Sequence, residues 1–101
     1  LVQQPRLYLL DEPLAHLDLH HEICVLEHFR KLAAGGAGVA MVLHDINLAA
    51  RYASHVLLLD GAGGHVIGSA DRVLTAERLS AAFGHPLRAI ADGERRLFVP
   101  V

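Results

Sequence analysis

The sequence predicts an α/β fold, in which parallel strands joined by crossover helices are followed by a small C-terminal β/α appendage. Two apolar runs, residues 7–10 and 39–43, have the continuous hydrophobicity of strands covered on both faces of a parallel sheet. A long helical pattern separates them, and a strand–helix–strand unit of this kind is almost always right-handed. We therefore expect a core over residues 1–68 and a C-terminal helix and hairpin over residues 69–101.

The first strand should stop before Pro13, because proline has no N–H to donate to a neighbouring strand. Asp18 then predicts the N-cap of a helix over residues 19–34. At 100° per residue, the apolar side chains of that segment fall on one broad arc. Gly35 is expected to end the helix. The second strand follows and stops at His44.

The remaining elements are predicted from caps and turn residues. Asp45 should cap a short helix over residues 46–54. A third strand over residues 56–59 is followed by a glycine-rich turn and a returning strand over residues 65–67. Thr75 should cap a helix that ends at Gly84. The pair Asp92-Gly93 predicts a hairpin between residues 87–91 and 96–99.

Composition excludes several classes of protein. Lys and Arg number 9 against 11 Asp and Glu, a net charge of −2, which argues against a broadly basic nucleic-acid binder. Hydrophobic residues make up 52% and charged residues 20%, so a disordered chain is not expected. The apolar runs are too short to span a membrane. Cys24 is the only cysteine, so no internal disulfide can form.

Acidic and imidazole side chains follow the first two strands where each strand ends. Asp11 and Glu12 come directly after the first strand, and His44 follows the second. In open α/β sheets, ligands bind beyond the carboxyl ends of the strands. One acid there can hold a hard cation such as Mg²⁺ while the other orients or deprotonates an attacking water. The arrangement therefore predicts a phosphoryl-transfer site.

Three motifs in a fixed order indicate a family. Residues 7–13 resemble the Walker B segment of ABC-transporter ATPases, residues 15–18 resemble their D-loop, and residues 42–45 resemble their H-loop. The tail from residue 47 to residue 84 is similar to the importer branch that serves iron–siderophore, haem and vitamin B12 uptake. This resemblance covers almost the whole chain. It implies a partial P-loop NTPase core, with the three motifs inside residues 1–68.

The resemblance also implies roles for individual residues. Asp11 would hold Mg²⁺, largely through water, and Glu12 would be the catalytic carboxylate that polarises the attacking water. His44 would contact the γ-phosphate of ATP and help to organise the attack. Asp18 would reach across a dimer interface near the nucleotide. ATP and Mg²⁺ are the implied cofactors.

The same resemblance implies partners and a location. Two ATPase subunits would form a dimer, dock on membrane-embedded permease subunits and work indirectly with a substrate-binding protein. The subunit would lie at the cytoplasmic face of the bacterial inner membrane as a peripheral protein. No nucleic-acid partner is expected.

Three motifs that precede Walker B in this family do not occur in the sequence. They are the phosphate loop G-x-x-x-x-G-K-[ST], the Gln-loop and the LSGGQ-type signature. The chain is therefore expected to be the C-terminal portion of an ATP-hydrolysing subunit and to be inactive by itself. Two alternatives stay open: a truncated, catalytically silent protein that acts at most as an interaction module, and a non-transport ATPase of the same type.

Two other metal chemistries are weaker interpretations. His44-Asp45 could suggest an HD-type phosphohydrolase, but that class needs further His and Asp ligands in a helical bundle. His20, Cys24 and His28 recur every four residues and so share one face of the first helix. That face is the polar one and supplies no fixed fourth ligand, so a solvated surface is the preferred interpretation.

Overall fold

The computed structural model describes residues 6–101 and divides the chain into two compact units. The first unit ends at His44 and the second begins at Asp45. Residues 1–5 of the expected 1–68 core lie outside the described residues. The domain boundary that the sequence predicts after residue 68 was placed from the family motifs and not from contacts within the fold. It stays a prediction.

The first unit is a βαβ unit, as the sequence predicts. It consists of β1 (Leu7–Asp11), α1 (Leu19–Ala34) and β2 (Gly38–Val42). The two strands are parallel, with a register that runs from Leu7 opposite Gly38 to Asp11 opposite Val42. A parallel pair needs a crossover connection, and α1 is that crossover.

The described residues cover only one face of β1, although its continuous apolar run is typical of a strand covered on both faces. Tyr8 is half-buried and its ring lies 5.6 Å from that of Phe29 on α1, in an edge-to-face arrangement. Leu7 and Leu9 point to the other face and are 61% and 73% exposed. Because α1 is the single helix of this unit, it supplies one covering layer.

The local signals that predicted α1 act as expected. The Asp18 side chain accepts a hydrogen bond from the backbone N–H of His21, and Gly35 donates to carbonyls of the last turn. Leu26, on the apolar arc, is 2% exposed. Across residues 6–101, neither this helix nor any other is long and apolar enough to cross a membrane.

The second unit consists of helices and antiparallel hairpins. Its elements are α2 (Ile46–Tyr52), β3 (His55–Leu59), β4 (His65–Ser69), α3 (Ala70–Val73), α4 (Ala76–Phe83), β5 (Leu87–Asp92) and β6 (Arg95–Pro100). Strand β3 pairs with β4, and β5 pairs with β6. Within residues 6–101, β1–β2 is therefore the single parallel pair, because short glycine-containing turns join the other strands into hairpins.

The β5–β6 turn lies one residue later than the sequence predicts. Asp92 pairs with Arg95, so Gly93 and Glu94 form the two-residue loop. Gly93 has a φ of 64°, which glycine adopts without the steric cost that a Cβ would bring. Asp92 is the last residue of the strand instead of the first residue of the turn.

The second unit has its own hydrophobic core. Leu79 is 1% exposed and Phe98 is 5% exposed, so the core joins α4 to the final hairpin. The core cluster and the partly buried side chains around it are Ala70, Leu74, Leu79, Phe98, Ile46, Ala50, Val56, Leu58 and Leu87.

Replacement of Leu79 by alanine should lower the free energy of unfolding of the 101-residue polypeptide by about 2–5 kcal/mol, because a fully buried side chain leaves a cavity. Leu59→Ala is the matched control in the same unit, since Leu59 is 67% exposed. That control should cost less than about 1 kcal/mol. Urea denaturation of both variants measures the difference, and equal losses would contradict this description of the core.

Candidate functional site

The candidate site lies where the two parallel strands end. Asp11, the last residue of β1, is in register with Val42, the last residue of β2. Glu12 follows β1 directly, and His44 stands two residues beyond β2. Since the strands are parallel, both carboxyl ends lie at the same edge of the pair.

Glu12 and His44 meet at this edge. The Nε2 atom of His44 lies 2.5 Å from Oε1 of Glu12, although the residues are 32 positions apart in the chain. A carboxylate only accepts hydrogen bonds, so the imidazole Nε2–H is the donor. The side chains are 77% exposed for His44 and 48% exposed for Glu12, which leaves both accessible to a ligand.

The backbone at Glu12 is in a conformation that side-chain-bearing residues seldom adopt. Glu12 has a φ of 50° and His16 a φ of 65°, both in the left-handed region. The Ala15 N–H donates to the Glu12 carbonyl over 3.1 Å and closes a turn between them. Such conformations cost on the order of 1–3 kcal/mol each and concentrate at functional sites. The sequence gives no signal for these two angles.

Asp11 offers an unengaged carboxylate beside this pair. It is exposed, and within residues 6–101 no hydrogen bond or ion pair occupies its side chain. The described part of the chain holds no group of three or more His, Cys, Asp or Glu side chains that could bind a metal. The Asp11 carboxylate is still compatible with Mg²⁺, because this ion keeps several waters and takes one or two carboxylates together with phosphate oxygens.

Asp18 lies away from the strand ends in the chain, at the start of α1. Its Oδ1 accepts from the His21 N–H over 2.9 Å and lies 2.7 Å from Nδ1 of the same residue. The backbone hydrogen bond from His21, followed by the His21 side chain, lowers the pKa of the Asp18 carboxyl below its ordinary value. The predicted N-cap is confirmed, and the expected role of Asp18 at a dimer interface stays a prediction.

The histidine and cysteine row on α1 is exposed, as its helical spacing predicts. His20, Cys24 and His28 all face outward. Cys24 Sγ lies 3.8 Å from Nε2 of His20. The ring of His28 packs edge-to-face against Phe29, at 5.2 Å between centroids.

Two contacts of the second unit were not predicted. Asn47 donates through Nδ2 to the carbonyl of Phe98 over 3.2 Å and accepts from the Phe98 N–H over 2.8 Å. Ser80 makes the same kind of double contact with the backbone of Leu87, at 3.3 and 2.8 Å. Asparagine and serine are poor helix formers whose side chains compete for backbone groups, but this preference does not identify the distant residue that each side chain contacts.

Comparison with known proteins points to one family. The chain is 44% identical over 85 residues to the hemin import ATP-binding protein HmuV of Ruegeria sp. (strain TM1040), which covers 84% of this chain and 33% of that protein. The HmuV protein of Chelativorans sp. (strain BNC1) is 38% identical over 99 residues, covering 96% of this chain and 38% of that protein. The chain thus spans about a third of the length of these relatives.

A solved structure shares the fold. A metal-chelate type ABC transporter in an inward-facing conformation superposes with a TM-score of 0.86 at 30% sequence identity. The match covers 95% of this chain and 40% of that chain. No protein-family model matches the chain.

The Asp18 cap predicts a pH dependence of stability. A carboxyl whose pKa is lowered by folding contributes stability that is present above its unfolded pKa, about 3.9, and is lost as the pH falls through the folded pKa. Asp18→Asn keeps an acceptor for the His21 N–H but removes the titrating charge. Its melting temperature should therefore fall less than that of the parent chain between neutral pH and pH 2.

Asp92→Asn is the control for that measurement, because within residues 6–101 the Asp92 side chain has no hydrogen-bond or ion-pair partner. Its melting temperature should fall with pH by the same amount as that of the parent chain. If the melting temperatures of Asp18→Asn and of the parent chain fell by the same amount between neutral pH and pH 2, the role given to the cap would be contradicted.

Proposed function

We propose that this chain is part of the ATP-binding subunit of an ABC transporter that imports a metal chelate, and that it supplies the edge at which ATP is hydrolysed. Its similarity to hemin import ATP-binding proteins and to a metal-chelate type ABC transporter supports this proposal. The names of the relatives favour haem as the imported compound over a siderophore or vitamin B12. Cargo would be selected by other subunits, which is why the cytoplasmic motifs are shared among these importers.

The contact between Glu12 and His44 is the observation that carries the proposal. Phosphoryl transfer depends mostly on positioning and electrostatics. Two polar groups held at one edge can therefore orient the attacking water and the terminal phosphate. In the proposed reaction Glu12 orients the attacking water and accepts its proton. An imidazole with a single N–H donates to one acceptor at a time, so on binding of the nucleotide the N–H of His44 would pass from Glu12 to an oxygen of the terminal phosphate and leave the Glu12 carboxylate free for the water.

Asp11 is the residue proposed to hold Mg²⁺. Its carboxylate is unengaged within residues 6–101 and precedes Glu12 directly, so it can accept a metal-bound water without disturbing the Glu12–His44 contact. When bound, Mg²⁺ neutralises charge on the phosphate oxygens. The proposed cofactors are therefore ATP and Mg²⁺.

The proposed assembly follows from the family. Two ATP-binding subunits form a dimer, with Asp18 near the nucleotide at their interface, and they dock on permease subunits that receive cargo from a binding protein. The subunit then lies as a peripheral protein at the cytoplasmic face of the inner membrane. The alternative, a catalytically silent interaction module, differs from this proposal in one measurable property, since it would not hydrolyse ATP.

In the full-length subunit, Glu12→Gln should lower kcat for ATP hydrolysis by at least about 100-fold, the usual contribution of a general base. Glutamine keeps an oxygen that can accept from His44, so the contact survives while the basic carboxylate is lost. ATP should remain bound, as measured by filter binding beside a phosphate-release assay.

Glu94→Gln is the matched control, because it makes the same substitution at an exposed residue in the turn between β5 and β6. It should hydrolyse ATP at the parent rate. Unchanged hydrolysis in Glu12→Gln would refute the role given to Glu12, and no hydrolysis by the parent subunit would favour the silent module.

The 101-residue polypeptide alone should bind ATP with a Kd weaker than about 1 mM. It has acids and an imidazole for the terminal phosphate but lacks the backbone cradle and lysine with which a phosphate loop holds a triphosphate. Titration with a fluorescent ATP analogue measures this, and micromolar binding would overturn it.

A further inference from the structure

His21 holds the carboxylate of Asp18 through two separate groups. Its backbone N–H donates to Oδ1 of Asp18 over 2.9 Å, and its ring atom Nδ1 lies 2.7 Å from the same oxygen. Because an ionised carboxylate only accepts hydrogen bonds, Nδ1 carries the proton that is donated. One oxygen of Asp18 is therefore bound twice by a single residue.

The ring contact is not needed to begin helix α1. The bond that caps the first turn comes from the His21 backbone N–H, which any residue except proline could donate. In a capping box, a glutamate or glutamine at this position reaches back to the backbone N–H of the N-cap residue. The imidazole of His21 contacts the cap side chain instead. It therefore restrains the carboxylate of Asp18 and adds nothing to the closure of the helix.

The second carboxylate oxygen of Asp18 stays available. Within residues 6–101 no hydrogen bond is made to Oδ2, and the Asp18 side chain is 67% exposed. Because two donors fix Oδ1, the carboxylate does not rotate freely and Oδ2 keeps one direction relative to the start of α1. An acceptor that is already oriented binds a partner at a lower entropic cost than one that rotates.

The ring that holds Asp18 is itself supported. It packs edge-to-face against the ring of His20, with 5.5 Å between the two centroids. The electrostatics agree with this geometry, because the backbone hydrogen bond from His21, followed by its side chain, lowers the pKa of the Asp18 carboxyl. Asp18 is therefore an ionised, oriented acceptor at the protein surface.

We propose that His21 is a positioning residue for Asp18: by holding Oδ1, its imidazole presents Oδ2 to hydrogen-bond donors of the partner subunit across the ATP-bound dimer interface. This rests on the proposed function, in which Asp18 lies at that interface. The His21 ring then contributes to association of the subunits and little to folding, because an exposed pair of this kind adds little stability.

His28 offers a closely matched control. It lies on the same helix, seven positions after His21 and so about two turns further along the same face. Its side chain is exposed, and its ring packs edge-to-face against the neighbouring Phe29 at 5.2 Å. In the part of the chain that the structure describes, no carboxylate pairs with it. Loss of either ring removes an imidazole from the surface of α1, but only loss of the His21 ring releases Asp18.

Dimer formation by the full-length subunit, with Mg²⁺ and a non-hydrolysable ATP analogue, can be measured by sedimentation equilibrium. His21→Ala should raise the Kd of the dimer about tenfold or more, because the released carboxylate must be ordered on association and a two-fold dimer contains the contact twice. His28→Ala should keep the parent Kd. His21→Asn should restore most of the affinity, since its amide N–H₂ stands as many bonds from the backbone as Nδ1 does.

A double-mutant cycle shows whether His21 acts through Asp18. Asp18→Ser keeps an oxygen that can cap α1 but removes the carboxylate. It should weaken the dimer by itself, and His21→Ala should add no further loss in that background. Both alanine variants should keep the parent melting temperature to within about 3 °C, which separates a loss of association from a loss of folding.

A direct signature comes from the carboxyl resonance of Asp18 in subunit labelled with ¹³C-aspartate, assigned by its absence in Asp18→Ser. The pKa of Asp18 should rise in His21→Ala and stay unchanged in His28→Ala. Equal dimer Kd values for the two alanine variants, a further loss in the Asp18→Ser background, or an unchanged Asp18 pKa in His21→Ala would each overturn the proposal. If the parent subunit does not dimerise with the analogue, or Asp18→Ser dimerises as tightly as the parent, the interface role of Asp18 fails instead, so the two failures are distinguishable.

Discussion

The parallel pairing of β1 with β2 is the constraint on which the candidate site depends. With Asp11 opposite Val42, both strands end at the same level, and the residues that follow them leave from one edge. Glu12 and His44 are 32 positions apart, yet this register brings their polar atoms to 2.5 Å. An antiparallel pair would send the two chain ends to opposite edges. The crossover helix α1 makes the parallel arrangement possible. The caps at its two ends stabilise this helix and, through it, the strand pair that carries the site.

The Glu12–His44 contact is too exposed to hold its own geometry. Hydrogen-bonded pairs at the surface contribute about 0–1 kcal/mol, while the left-handed backbone at Glu12 costs a comparable amount or more. The site is therefore positioned by the backbone of the first unit: the closed turn from Glu12 to Ala15, and the end of β2 at Val42, two residues before His44.

Features with a local cause could be predicted from the sequence, and features with a distant cause could not. The caps at Asp18, Asp45 and Thr75 depend on the next three residues, and the structure confirms all three. The described residues cover one face of β1 although its apolar run is typical of two covered faces, because an apolar run indicates what a strand can bury and not which layers are present. The Glu12–His44 contact was predicted because strand ends in a parallel sheet share an edge. The Asn47–Phe98 contact spans 51 positions and has no periodic signal, so only coordinates could identify it.

Under the proposed function, the tasks of nucleotide binding and hydrolysis would be separated at this edge. Asp11 and Glu12 place negative charge at the edge where a polyphosphate would have to approach, and the His44 imidazole contacts Glu12 there. Two adjacent carboxylates repel a triphosphate unless a divalent cation and other cationic or N–H groups offset the charge. The edge is therefore suited to orient a water and a terminal phosphate that are already held, and poorly suited to capture the nucleotide. In the proposed subunit, affinity for the nucleotide would come from other groups, and the rate of hydrolysis would depend on how well this edge is positioned.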